Sequence, residues 1–201
     1  MNRKPYPTDL TDAEWQIAAP LVARKSKVGA PTALDIREVL NAIFYLVDNG
    51  IKWRAMPHDF PDWHAVYYYF KKWRDDGTLA ELNLQLAQLV RVQESHDPEP
   101  SMVILDSQSV KTTEQRGSVC GYDKGKQVKG RKRFLLVDTL GLLVGGLVTA
   151  ANVGERAGGQ ELLRAVHEYE HRRIETVLAD QGYNVQPMQD YVGFSFVLLV
   201  R

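Results

Sequence analysis

The hydrophobic period of this chain changes once, at Ser95-His96-Asp97-Pro98-Glu99-Pro100, and that change limits the folds open to it. Before this point apolar residues recur at three- and four-residue steps, the period of a helix with one buried face. After it they gather in short β-branched and leucine-rich runs separated by glycines, the mark of strands. The two prolines exclude helix at the residues before them, so the segment reads as a linker or domain entry. The expected division is a helical region over 1–94 and an α/β domain over 95–201.

In the first part, Thr11-Asp12-Ala13-Glu14 has the spacing of a capping box, in which two side chains satisfy orphaned N–H groups at a helix start. From Leu34, the residues Ile36, Val39, Leu40, Ile43, Phe44 and Val47 fall on one helical face, and Asn49-Gly50 supplies a stop. Trp63, Val66, Tyr67, Phe70 and Trp73 predict a third helix ending at Gly77, and a fourth runs from about Thr78 to Gln93. Lys52-Trp53-Arg54, Tyr67-Tyr68-Tyr69 and Lys71-Lys72-Trp73-Arg74 mix bases with aromatics, as DNA-contacting helices do. Trp53, Trp63, Phe70 and Trp73 are, as residue types in this pattern, more often core.

In the second part, Met102 to Leu105 is an apolar run ending in Asp106. Phe134 to Asp138 and Leu142 to Ala150 read as a hairpin across Thr139-Leu140-Gly141, and a helix spans about Gly159 to Arg173. Val177 to Ala179 ends in Asp180, and Phe194 to Val200 is a last strand. This order predicts a mixed sheet covered by helices.

At 201 residues with 44% hydrophobic content the chain can bury a core. Phe134 to Val153 is too interrupted by polar residues and glycines for a membrane span, and MNRKPYPTDL lacks the apolar core of a signal peptide. The single cysteine, Cys120, excludes an internal disulfide and a cysteine-based zinc site. A cytoplasmic location without membrane attachment is the expectation.

Asp106 and Asp180 share one context, an apolar run, then the acid, then a turn. If their strands are neighbours, two carboxylates converge at the edge of the sheet where open α/β folds bind ligands. Hard oxygen ligands suit Mg²⁺ or Mn²⁺, and two such ions roughly 4 Å apart activate water and stabilise the leaving oxygen of a phosphodiester. An aspartate after a strand is also a turn former or a helix N-cap, and Asp138, before Thr139-Leu140-Gly141, is best explained by its turn. Glu155 and Glu175 are further acids that no motif places.

Net charge is zero, yet residues 111–133 hold 8 Lys/Arg against 2 Asp/Glu, a net +6 in one short segment. Lys111, Lys124, Lys126, Lys129, Arg131, Lys132 and Arg133 supply most of it. Phosphate is the matching ligand, giving salt-dependent, largely sequence-independent affinity for double-stranded DNA. A solvated loop or a charge-protected sheet edge is the competing explanation.

Val103-Ile104-Leu105-Asp106-Ser107-Gln108-Ser109-Val110-Lys111-Thr112-Thr113, Gly121-Tyr122-Asp123-Lys124-Gly125-Lys126, Lys129 to Arg133, Val137 to Leu142, Ala150-Ala151-Asn152-Val153 and Leu178-Ala179-Asp180-Gln181-Gly182-Tyr183 closely resemble, in order, the insertion-sequence DDE transposases of the group numbered five. Trp53-Arg54, Asp59-Phe60-Pro61 and Tyr69 to Trp73 resemble the N-terminal region of that family. The resemblance implies a ribonuclease-H-like domain with Asp106 and Asp180 as its first two catalytic and metal-binding acids. It also implies a helical region that helps bind transposon ends, and assembly as a homo-oligomer on DNA. In the family a Glu in a Trp-x-x-Glu-Arg context on a helix after the last strand is the third acid, and this sequence ends at Arg201 without it. The expectation is a truncated transposase, weak or inactive alone. A non-catalytic protein occupying transposon ends and a ribonuclease-H-like nuclease are the alternatives.

Overall fold

A computed structural model describes residues 3–22, 34–112, 119–169, 173–180 and 183, and the backbone of 195–198. The chain forms two compact units, Met1–Gln85 and Leu86–Arg201.

The first unit is helical: α1 (Asp12–Val22), α2 (Ile36–Asn49), a 3-10 turn at Trp53–Ala55, α3 (Trp63–Asp75) and the first half of α4 (Thr78–Gln93). The capping box forms as its spacing predicts, with the Thr11 N–H donating to Glu14 at 2.7 Å and the Glu14 N–H to the Thr11 hydroxyl at 3.3 Å. Asp35 caps α2, which stops where Gly50 takes a φ of +61°, a left-handed conformation that glycine adopts without strain. The helices bury Val39, Leu40, Ile43, Val66 and Trp73. Val47, on the expected inner face of α2, lies exposed in the last turn of the helix. Trp53 packs on Tyr67 and Phe70, so two of the aromatics placed either in the core or on DNA are held by other rings.

The second unit is a mixed sheet with helices against it. Its strands are β1 (Met102–Lys111), β2 (Gly121–Asp123), β3 (Val128–Asp138), β4 (Leu143–Ala150), β5 (Thr176–Ala179) and β6 (Ser195–Leu198), with α5 (Glu155–Tyr169) between β4 and β5. The order is β2-β3-β1-β5-β6, with β4 also on β3. β1 and β3 and the β3–β4 hairpin are antiparallel, while β5 lies parallel to β1 and to β6. This is the α/β, ribonuclease-H-like arrangement. The core joins Val103 and Leu105 of β1, Phe134 and Leu136 of β3, Leu162, Leu163 and Val166 of α5, Val177 and Ala179 of β5, and Tyr183. α5 sits close because it presents glycine: a Cβ on Gly158 would stand 2.2 Å from the Phe134 ring.

Two strands differ from the sequence expectation. β1 runs six residues beyond Leu105, and β3 begins at Val128 rather than Phe134. Its first inward positions, Gly130 and Lys132, have none of the apolar character that marks a buried strand face. Asp138 serves its turn, its carboxylate accepting from the N–H groups of Leu140 and Leu142 at 2.9 Å each, and it also meets Arg91 in a buried ion pair.

Candidate active site

β1 and β5 run in parallel with one constant offset. Met102 pairs with Thr176 and Leu105 with Ala179, each 74 positions apart, and Asp106 and Asp180 are separated by the same 74. One step beyond the last rung, the two acids therefore stand at the same level. Neighbouring strands lie about 4.8 Å apart, so the backbones that carry the two acids are adjacent. Both residues are exposed. The sequence pattern predicts Asp106 at the end of its own strand, but it stands inside β1, because β3 pairs with β1 as far as Lys111 while β5 stops at Ala179. The end that uncovers Asp106 is its partner's.

Past that last rung, the Ser107 N–H donates to Oδ1 of Asp106 at 2.8 Å, and the Ser107 hydroxyl donates to Oε1 of Glu155 at 3.1 Å. Glu155 is the first residue of α5, and the same Oε1 accepts from the Lys126 ammonium at 3.1 Å. The hydrogen bond to Glu155 raises the Lys126 pKa above its ordinary range; burial opposes, and the charges of Glu155, Asp123 and Asp106 add to the rise. Tyr183 is 1% exposed. Burial pushes this phenol upward, the neighbouring Ser107 hydroxyl opposes, and the charges of Glu155, Asp106 and Asp180 push it further. The Tyr183 N–H donates to the Asp180 carbonyl at 3.3 Å, which sets Tyr183 next to the second acid.

The basic segment divides according to strand alternation. Lys129, Arg131 and Arg133 point outward from β3, while Gly130, Lys132 and Phe134 point inward. In the antiparallel register Leu135 lies opposite Asp106, Arg133 opposite Gln108 and Arg131 opposite Val110. Opposed residues share a face, so the three outward cations stand on the same side of the sheet as Asp106. Arg133 donates through Nε to Gln108 at 2.9 Å, and Lys111, Lys124 and Lys126 are exposed. Lys132 corrects the sequence reading. Its side chain is 6% exposed and meets Asp123 at 3.1 Å, so its charge is spent inside the fold and is not offered to a phosphate.

Asp123, which the sequence shows within the Gly121 to Lys126 motif without a role of its own, organises this end. It accepts from the Ser109 hydroxyl at 2.6 Å and from the N–H groups of Gly125 and Lys126 at 3.0 and 3.1 Å. The Ser109 bond, then the Lys126 N–H and Lys132, hold its carboxyl well below the usual carboxylate range against the opposing effect of burial. The turn that carries Lys126 is thereby fixed.

Residues 10–83 match the family model described as a transposase of the IS4/5 family, and residues 97–194 match the model described as a transposase DDE domain. The chain belongs to the IS4/5 family of DDE transposases. No curated protein matches it. In this transposase the DDE match contains Asp106, Asp180, Glu155 and the whole basic segment, while the N-terminal match covers α1 to α3. Among the described residues no group of three or more His, Cys, Asp or Glu stands close enough to hold a metal ion. The aspartates form a pair of hard oxygen donors, the chemistry that Mg²⁺ and Mn²⁺ accept. No helix among the described residues is long and apolar enough to cross a membrane.

Proposed function

We propose that this chain carries the transposase reaction on the edge formed by Asp106 and Asp180, which cut double-stranded DNA at terminal inverted repeats and join the freed end to a target. The observation that carries this reading is the common register of the two acids across β1 and β5, on the face that also bears Lys129, Arg131 and Arg133. Mg²⁺ or Mn²⁺, held by Asp106 and Asp180, would supply water activation and charge neutralisation at phosphorus. In hydrolysis, water oxygen bonds to phosphorus as the bond to the 3′-oxygen breaks, and the departing oxygen gains a proton. In strand transfer that 3′-hydroxyl attacks a target phosphodiester, so one phosphorus–oxygen bond replaces another.

The chain's own groups contribute position and charge. Outward Lys129, Arg131 and Arg133 take backbone phosphates and so align the duplex across the aspartates without reading its sequence. In the N-terminal unit, the exposed bases Lys71, Lys72 and Arg74 and the exposed Tyr67 and Tyr68 of α3 form a second surface for the transposon end. Asp106 and Asp180 are two of the acids that the family resemblance calls for. Assembly on paired ends in the cytoplasm completes the reading.

The test is strand cleavage and transfer on a duplex bearing the element's terminal inverted repeat, with Mg²⁺ or Mn²⁺, for the wild type, Asp106→Asn and Asp180→Asn. Metal-dependent nicking that either substitution abolishes is the expected result. Nicking that survives both substitutions would place the chemistry elsewhere, and binding without nicking would make the chain an occupant of transposon ends.

A further inference from the structure

Glu155 plays no part in the reading above, yet it is tied to the site by two hydrogen bonds. Its Oε1 accepts from the Ser107 hydroxyl, adjacent in sequence to Asp106, and from the Lys126 ammonium, both at 3.1 Å. The Glu155 side chain is 22% exposed, while that of Lys126 is 46% exposed, so the carboxylate is the inner partner and the ammonium the outer one. The backbone of Lys126 is fixed independently, its N–H donating to Asp123. A lysine on a free turn would sample many rotamers, and ordering such a side chain costs conformational entropy. Here it is already ordered by its bond to Glu155.

We propose that Glu155 is a positioning residue of this site: anchored by Ser107, the residue after Asp106 on β1, it holds the Lys126 ammonium at this end of the sheet, where Lys126 takes a non-bridging oxygen of the phosphodiester presented to the two aspartates. The proposal rests on the assignment of that edge to DNA. Its chemistry has a definite sign. A carboxylate near a DNA site repels phosphate, so simple electrostatics predicts that neutralising Glu155 strengthens binding. A carboxylate whose role is to hold a lysine on a phosphate predicts the opposite.

The experiment measures the affinity of the full chain, in Ca²⁺ to suppress cutting, for a duplex carrying the terminal inverted repeat, over a salt series. The wild type is compared with Lys126→Ala, Glu155→Gln and the double variant, each also on a duplex with one neutral methylphosphonate at the terminal phosphate. Lys126→Ala is expected to lower affinity about tenfold, as for one charge-assisted hydrogen bond, and to reduce the slope of log affinity on log salt by about 0.9. Glu155→Gln is expected to weaken binding in the same direction, with the double variant no weaker than Lys126→Ala, and the methylphosphonate is expected to cost the wild type affinity but not Lys126→Ala. Mn²⁺ affinity is expected to be unchanged in Glu155→Gln. Tighter binding by Glu155→Gln, additive losses in the double variant, or loss of Mn²⁺ affinity would overturn the proposal, the last by making Glu155 a metal ligand. Should Glu155→Gln not fold, Ser107→Ala removes the anchor from the other side and is expected to weaken binding likewise; unchanged or tighter binding would overturn the proposal. A wild type that does not bind the duplex refutes the site assignment itself, an outcome distinct from all of these.

Discussion

Asp106 and Asp180 share one level of the sheet because β1 and β5 keep a single offset from Met102–Thr176 to Leu105–Ala179, and both acids fall on the next step of that register. The early end of β5 leaves both acids open to solvent. The geometry has consequences that substitution can test.

Asp106 is exposed and takes no part in the core, so Asp106→Asn should change stability by no more than about 0.5 kcal/mol. The same substitution removes a negative charge from the face that carries Arg131 and Arg133, so DNA affinity should hold or rise while metal-dependent cutting is lost. Thermal melting and duplex binding, measured together, check both halves. A large drop in melting temperature would mean that Asp106 is a structural residue.

Neighbouring cations on β3 should behave oppositely. Lys132→Ala leaves the Asp123 carboxylate without its cation partner in a site where both side chains are at most 10% exposed, and should cost about 3 kcal/mol. Lys129→Ala should leave stability within about 0.5 kcal/mol and lower the salt slope of DNA binding by about 0.9. Urea unfolding and salt-dependent affinity separate the two.

Gly158 marks the closest approach of α5 to the sheet. A Cβ there would stand 2.2 Å from the Phe134 ring, which the packed core cannot yield without shifting the helix. Gly158→Ala should therefore destabilise by about 1 to 3 kcal/mol, despite the better helix propensity of alanine. An unchanged unfolding midpoint would show that α5 can move.

Asp123 sets a pH dependence with a definite sign. The Ser109 hydroxyl, the Lys126 N–H and Lys132 depress its folded pKa. Its contribution is therefore complete above the unfolded value of about 3.9 and is lost as pH falls through the lowered folded value. Stability should decline below about pH 4, and Asp123→Asn should be less stable at neutral pH, with its curve converging on the wild type in acid. Parallel curves over the acid range would contradict this.

Much of the fold was legible from period and punctuation. The capping box, the Gly50 stop, the hairpin at Asp138 and the run into Asp180 all come from local chemistry, and local chemistry is what a sequence displays. The start of β3 was hidden because its inward positions are Gly130 and Lys132, and the length of β1 because its second half is polar. Nothing local marks Lys132 as buried, since its burial depends on Asp123, which the fold brings across from the adjacent β2. Glu155 had no motif to place it for the same reason: what defines it is contact with Ser107 and Lys126, 48 and 29 residues away. The two aspartates were legible as residues, but the relation between them required the register.

The most direct measurement of that relation is Mn²⁺ binding by isothermal titration to the wild type, Asp106→Asn and Asp180→Asn. If the two acids form one site, either substitution alone should abolish the wild-type binding event, and the double variant should lose nothing more. Full Mn²⁺ affinity in either single variant would contradict a shared metal site and, with it, the assignment of the reaction to this edge of the sheet.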